Sequence, residues 1–260
     1  MFEFIETNVT NNTLVITINR EKVYNALNTK SKMEIIKAIK SAAKDDAVRS
    51  IVLTAKGKAF CSGQDLNDRT VNDPGKRVDI GKTIEEEWNP LVLAIRNSEK
   101  LVIGAINGVA AGAGLSVALA CDIKVAAPGT RFICGFTQIG LAPDACLSSA
   151  LVKNLGYSKA LEFSLMGKPL LAEELEKFNL INHIAPSPLE KAMEIASSIN
   201  ALAPLAVKMV KKNLKAAIDQ DFDKVLEQEK YSQRFLGFSD DYQEGVRAFL
   251  EKRQPQFKGQ

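Results

Sequence analysis

Three short stretches of the chain combine small residues with a group able to take part in chemistry. The first, Lys58-Ala59-Phe60-Cys61-Ser62-Gly63-Gln64-Asp65-Leu66, follows an apolar β-branched run, Ser50 to Thr54, and carries Gly63 where the chain must turn. Backbone N–H groups left unpaired at a strand end can point at a ligand carbonyl or phosphate. The same residues also make an ordinary strand-to-loop turn with Gly63 left-handed. The second, Asn107-Gly108-Val109-Ala110-Ala111-Gly112-Ala113-Gly114, again lies between a strand and a helix. Small residues let a backbone approach closely, and a helix N-terminus offers unpaired donors. No Gly-Lys-Ser/Thr follows and the GxGxxG spacing is absent, which excludes a Walker loop and the dinucleotide fingerprint. Tight helix–strand packing accounts for the glycines equally well. The third, Gly140-Leu141-Ala142-Pro143-Asp144-Ala145-Cys146, places an acid among apolar neighbours just before a helix. Asp144 can be a partly desolvated carboxylate poised as a base, or a helix cap.

Other residues offer less. Ser148-Ser149 lacks the context of a nucleophile elbow. His183 is the single histidine and reads as a strand end, so mechanisms and metal sites needing two histidines from one chain are excluded. Cys61, Cys121, Cys134 and Cys146 sit in apolar segments without paired CxxC spacing, as expected of reduced thiols rather than disulfides or a zinc site. Lys208, Lys211, Lys212 and Lys215 recur at helical spacing. They read as a solvated face, with a phosphate or RNA contact as the other possibility. The net charge, 34 − 31 = +3, is too balanced for a general nucleic-acid binder. No apolar run approaches about 18 residues, and MFEFIETNVT lacks a signal-peptide pattern. A cytoplasmic protein is expected.

These stretches need a scaffold. Residues 2–8 and 13–19 flank Asn11-Asn12 and predict a hairpin. Residues 29–45 predict a helix whose apolar face holds Met33, Ile35, Ile36, Ile39 and Ala42. Strands are expected at 50–54, 101–106 and 122–127. Helices are expected at about 83–97, bent near Pro90, and at 113–121, with a polar loop at 67–82 around Pro74-Gly75. This is the pattern of an α/β fold with crossover connections. From about 147 onward the pattern is mostly helical: 147–155, 158–166, 171–178, 188–201, 204–219, 222–236 and 240–252. Residues 1–200 read as an α/β core and 201–260 as a helical C-terminal region.

Two donor loops separated by a helical segment, followed by a carboxylate, resemble the crotonase (enoyl-CoA hydratase/isomerase) superfamily. The likeness runs from Ile18-Asn19-Arg20 and Asn25-Ala26-Leu27-Asn28, through the three stretches, to Phe249-Leu250-Glu251-Lys252-Arg253 with Pro255 and Phe257. It implies a ββα spiral core with a helical C-terminal trimerisation region, and a homotrimer or dimer of trimers. It implies an acyl-CoA thioester as the small-molecule partner, with no cofactor beyond the coenzyme A of the substrate and no metal. The thioester oxygen would be held by the backbone N–H groups of Gln64 and Ala113. Ser62, Asp65 and Leu66 match positions lining the adenine end of CoA, and Lys252 lies near a CoA phosphate of the same or a neighbouring subunit. Phe136 would form an apolar wall of the acyl pocket.

Departures from the family pattern point to the reaction. The family's hydratases use two glutamates to position and activate water, and Ser116 and Phe136 stand at the matching places. A phenylalanine transfers no proton, and serine is a poor base without a partner. Asp144 lies where family isomerases, and an aryl-CoA dehalogenase, carry their working carboxylate. The stretches Phe60 to Arg69, Gly108 to Gly114 and Asp241 to Val246 resemble the members that rearrange a ring-epoxide phenylacetyl thioester. Ala145-Cys146-Leu147-Ser148-Ser149 replaces the glycine pair usual after the acid. The expectation is an acyl-CoA isomerase with Asp144 as acid and base. The alternatives are an enoyl-CoA hydratase, a dehalogenase-like hydrolase with Asp144 as nucleophile, and a non-catalytic RNA-binding member using the lysines at 208–215.

Overall fold

The chain opens with a hairpin of β1 (Ile5–Thr10) and β2 (Thr13–Ile18), paired antiparallel. Asn11 and Asn12 make its turn with φ of 50° and 58°, the left-handed pair that a two-residue hairpin requires and that asparagine tolerates. The computed structural model describes residues 2–68 and 78–260. Arg69 and Pro74-Gly75 lie outside the described residues, as does most of the loop expected at 67–82.

After α1 (Thr29–Ala43), one unit recurs three times: a long buried strand, a three-residue strand and a helical segment. The units are β3 (Ser50–Ala55) with β4 (Ala59–Cys61), β5 (Leu101–Ile106) with β6 (Val109–Ala111), and β7 (Ile123–Ala126) with β8 (Arg131–Ile133). The long strands extend a six-stranded sheet in the order β1-β2-β3-β5-β7-β10, parallel from β2 onward. The short strands build a second sheet, β4-β6-β8-β9. Here β9 is Leu170–Leu171 and β10 is His183–Ile184. Each pair of strands crosses from one sheet to the other, which winds the chain into a ββα spiral.

The helical segments are α2 (Ile80–Thr83) continuing through a π turn (Ile84–Trp88) into α3 (Asn89–Asn97), then α4 (Ala113–Ala120) and α5 (Leu147–Leu155). α6 (Tyr157–Met166), α7 (Ala172–Lys177) and α8 (Pro188–Asn200) follow. Ile51, Leu53, Val102 and Ile106 belong to the main core, while Val52, Ile103, Ala105 and Val125 pack under Ala192 and Ala196 of α8. The central strands are thus covered on both faces, which is why they read as continuous apolar runs.

Two local features were not expected. The helix expected at about 83–97 contains a π turn just before Pro90, where the Asn89 N–H donates to Ile84 O. Proline has no N–H to continue the ladder, and a wider turn accommodates that loss. On α1, Met33 faces solvent while Lys32 is fully buried.

The C-terminal region comprises α9 (Pro204–Asp219), α10 (Phe222–Gly237) and α11 (Asp240–Leu250). Its lysines are not a free comb. Lys211 is buried and ion-paired to Asp122 at 2.6 Å, while Lys208 pairs with Glu99 at 2.7 Å. Lys215 donates to Asn97 Oδ1 at 2.6 Å, and Lys212 lies over the Tyr231 ring. Burial pushes the Asp122 carboxyl above its ordinary range against the pull of Lys211. Three of these contacts fasten α9 to the segments that lead into β5 and β7, and the Lys212 contact joins it to α10. Arg49 ties the tail down through Asn200 O and Phe257 O, each at 2.6 Å. By contrast Phe238 and Phe249 are 82% and 84% exposed. Among the described residues no single helix is long and apolar enough to cross a membrane.

Candidate active site

The second sheet brings the first two glycine-bearing stretches side by side. β4 and β6 pair in parallel, Ala59 with Val109 and Cys61 with Ala110. The fit is backbone against backbone. A Cβ on Gly114 would sit 2.2 Å from Cys61 O. At Gly63, with φ of +99°, a Cβ would sit 3.0 Å from Ala111 O and 3.3 Å from Ala113 N. Any larger residue at either place forces the two loops apart.

The segment before α1 fixes the first loop. Leu27 N–H donates to Gly63 O at 2.8 Å, and Asp65 N–H donates to Leu27 O at 3.0 Å. These two bonds flank Gln64, so its own N–H points away from Leu27, as alternation along an extended strand dictates. Buried Asn25 donates to Lys56 O and Ala59 O at 2.8 and 2.7 Å, fastening the start of β4. Asn28 caps α1 by accepting from Ser31 N–H at 2.8 Å. The Asn25-Ala26-Leu27-Asn28 motif is therefore the brace of the loop that carries Gln64.

The second donor is the start of α4. Gly112 precedes it with φ 53° and ψ −130°, and Ala113 and Gly114 present the first N–H groups, which have no helical partner. One turn on, Ser116 Oγ donates to the main-chain oxygen of Asp144 at 3.1 Å. Ala113 and Ser116 are three residues apart and share a face of the helix. The helix that presents the donor therefore also holds the segment bearing the acid.

Asp144 does not cap α5, because Cys146 takes the N-cap position. Its Oδ1 is buried from solvent. Ala145 and Cys146 both adopt left-handed backbone, with φ of 50° and 67°. Such a conformation costs an L-residue about 1–2 kcal/mol. The sharp turn that glycines would make easily is thus made here under strain. Burial pushes the Cys134 thiol upward, and the Asp144 charge adds to this against a Ser164 hydrogen bond. Phe136 is buried, and its carbonyl accepts from Leu141 N–H at 2.9 Å, closing the loop that leads to the acid.

The remaining site candidates are placed as follows. Ser62 is exposed, with its N–H on Tyr24 O at 3.1 Å. Leu66 is exposed beside it. The Asp65 carboxylate faces inward to Arg20 at 2.8 Å and accepts from Asn67 N–H at 3.0 Å. Burial opposes its ionisation, yet Arg20 and the Asn67 N–H outweigh this and hold the carboxyl below its ordinary range. The Asp65 carboxylate is therefore engaged within the protein. Lys252 follows α11, and among the described residues no hydrogen bond or ion pair joins it to the Ser62–Leu66 loop. Cys61 and Cys121 are buried with thiols pushed up to about 12, which makes them packing residues. Among the described residues no group of three or more His, Cys, Asp or Glu side chains could hold a metal ion.

Sequence reasoning missed Arg20, Lys32 and Trp88 as supports of the first loop. A signal existed for Lys32: it lies at helical spacing with Ile35, Ile39 and Ala42, on the stripe that faces the core.

Two sheets wound as a ββα spiral, with paired backbone donors at the ends of the short strands, define a class of protein. Residues 8–260 match the family model described as enoyl-CoA hydratase/isomerase, and the chain belongs to that family, the crotonases. Among individual relatives, the chain is 36% identical over its full length to the full length of 1,2-epoxyphenylacetyl-CoA isomerase of Escherichia coli K12. It is 38% identical to a probable enoyl-CoA hydratase of Rhodobacter capsulatus, covering 94% of each chain. The crystal structure of an enoyl-CoA hydratase from Polaromonas sp. JS666 superposes with a TM-score of 0.92 at 31% identity, over 97% of this chain and 99% of that one.

Proposed function

We propose that the protein is an acyl-CoA isomerase. The observation that carries this is the single helix α4, which offers the Ala113 N–H at its start and holds the Asp144 segment through Ser116 one turn later. With a 3-enoyl thioester, Asp144 takes a proton from C2. The electron pair moves onto the thioester oxygen, held by the N–H groups of Gln64 and Ala113, and the same proton returns at C4. The double bond then lies at C2, with no net change of atoms. Fixed dipoles aimed at an oxygen that gains charge are a strong source of rate enhancement.

Phe136 and Ser116 favour isomerisation over hydration, because neither can activate water as a paired carboxylate does. Similarity to 1,2-epoxyphenylacetyl-CoA isomerase supports a ring-epoxide phenylacetyl thioester as a further substrate, rearranged to an oxepin at the same oxyanion site. Ser62, the Asp65 and Leu66 backbone and Lys252 are the proposed CoA contacts. The exposed aromatic residues of the C-terminal region support assembly as a trimer or dimer of trimers. The test is to supply 3-hexenoyl-CoA and a 2-enoyl-CoA separately, following conjugated-thioester absorbance and water addition. Growth of the conjugated band from the first, without water addition to the second, is expected. Fast hydration of the second without isomerisation of the first would refute the proposal.

A further inference from the structure

Behind the Gln64 loop lies a buried polar cluster that the reaction above does not use. Lys32 of α1 is fully buried and Trp88 is 1% exposed. Lys32 Nζ and Trp88 Nε1 both donate to Gln64 Oε1, each at 2.9 Å. The Gln64 amide in turn donates to Asp65 O at 3.1 Å. Lys32 is ion-paired to Glu87 and lies 4.6 Å from the centre of the Trp88 ring, and Glu87 Oε1 accepts from Thr29 Oγ1 at 3.1 Å. Glu87 and Trp88 both come from the π turn, an irregularity frequent at functional sites.

Burying a lysine is expensive, and replacing a buried ion pair with apolar residues is often neutral or stabilising. Packing alone therefore gives no reason for this cluster. Its geometry does. Two buried donors converge on one side-chain oxygen, and that side chain belongs to the residue whose peptide N–H is proposed above to hold the thioester oxygen. Resting on the assignment of Gln64 as an oxyanion donor, we propose that Lys32 and Trp88 are positioning residues that fix the Gln64 peptide through its side chain and so aim its N–H at the enolate oxygen. Glu87 is the ion-pair partner that holds Lys32 in this buried cluster. A donor misaimed rather than removed should lose less than the roughly 10²–10³-fold of a deleted oxyanion donor, on the order of tenfold.

Acetoacetyl-CoA serves as the probe, because its enolate absorbs in the near ultraviolet and an oxyanion hole lowers the pH at which it forms. The wild-type complex should enolise at lower pH than free acetoacetyl-CoA. Lys32→Met combined with Glu87→Gln removes both charges of this ion pair, so that Glu87 is not left as a carboxylate without Lys32, while Trp88→Phe removes only the second donor and some bulk. Each should raise the enolisation midpoint by about one pH unit, a tenfold change. Each should also lower kcat on 3-hexenoyl-CoA about tenfold with KM unchanged. Gln64→Ala keeps the peptide N–H but cuts the tether, so it should give the same rise and add nothing to the Lys32→Met/Glu87→Gln variant. Far-ultraviolet circular dichroism and a cooperative thermal transition identify which variants are folded, since Trp88 is the single tryptophan and its loss alone changes the near-ultraviolet spectrum, and either of the first two suffices. An unchanged midpoint in a folded variant overturns the positioning role while leaving the donors intact. Failure of the wild type itself to lower the midpoint overturns the donor assignment, and the positioning role with it.

Discussion

Gly114→Ala sets two physical effects against each other, and the structure says which wins. Gly114 is the second residue of α4 and has an ordinary helical backbone. Helix propensity alone therefore favours alanine, by up to about 1 kcal/mol. Space opposes it. The added carbon would meet Cys61 O at 2.2 Å, Cys61 C at 2.7 Å and Cys61 Sγ at 2.8 Å. Ordinary van der Waals contact needs well over 3 Å, so α4 and β4 must separate by roughly 1 Å. The two nearest atoms are backbone, so moving the Cys61 side chain cannot relieve the clash. Overpacking of this kind costs about 1–3 kcal/mol, which exceeds the propensity gain. Net destabilisation of about 1–2 kcal/mol is expected by chemical denaturation. The same separation moves Ala113 N–H relative to the Gln64 loop, and a misplacement near 1 Å in a reacting site costs about 10²-fold in turnover. Gly245→Ala is the internal control. Gly245 lies inside α11, and its added carbon would find only the Phe257 ring at 3.5 Å, so a stabilisation of up to about 1 kcal/mol is expected there. A Gly114→Ala protein as stable and as active as wild type would refute the close approach of the two loops.

Asp144→Asn should lower isomerisation of 3-hexenoyl-CoA by about 10²–10⁴-fold while leaving CoA binding by calorimetry nearly intact, and retention of more than about a tenth of the turnover removes Asp144 from its role. Cys146→Gly should relieve the left-handed strain at an exposed position and raise stability by about 0.5–1 kcal/mol after the entropy of glycine is subtracted, read as a shift in melting temperature; a fall would show the turn to be unstrained. Glu244 is held at about 2 by the Arg253 guanidinium and the Gln256 N–H. A depressed folded pKa contributes stability above the unfolded value near 4.5 and loses it as pH falls toward 2. The melting difference between wild type and Glu244→Gln should therefore be full at pH 6 and shrink toward zero by pH 2; a difference independent of pH would exclude the linkage. Light scattering at micromolar concentration should give about three or six times the 28.4 kDa chain mass, and a value near 28.4 kDa refutes the assembly.

Much of the scaffold was legible because its signals are local. β3, β5 and β7 are apolar β-branched runs bounded by turns, and the hairpin is marked by Asn11-Asn12. The long C-terminal helices carry periodic apolar residues that need no knowledge of their partners. The short strands β4, β6 and β8 were not legible. Three residues carry no periodicity, and their existence depends on pairing with segments roughly 20 to 50 positions away. The chemistry divides the same way. Residue type and apolar neighbours mark Asp144 as a possible base, whereas Phe136 and Ser116 gain meaning only through the family resemblance, which puts them where hydratases carry glutamates. Only tertiary structure sets the direction of the Gln64 N–H, because Leu27 must bracket it from another part of the chain. Only tertiary structure shows that Ser116 holds the Asp144 segment, that Asp65 turns inward to Arg20, and that Lys32 is buried while Met33 is not. Composition and spacing determine which groups a chain can offer; their directions come from backbone bonds and close contacts between segments far apart in sequence.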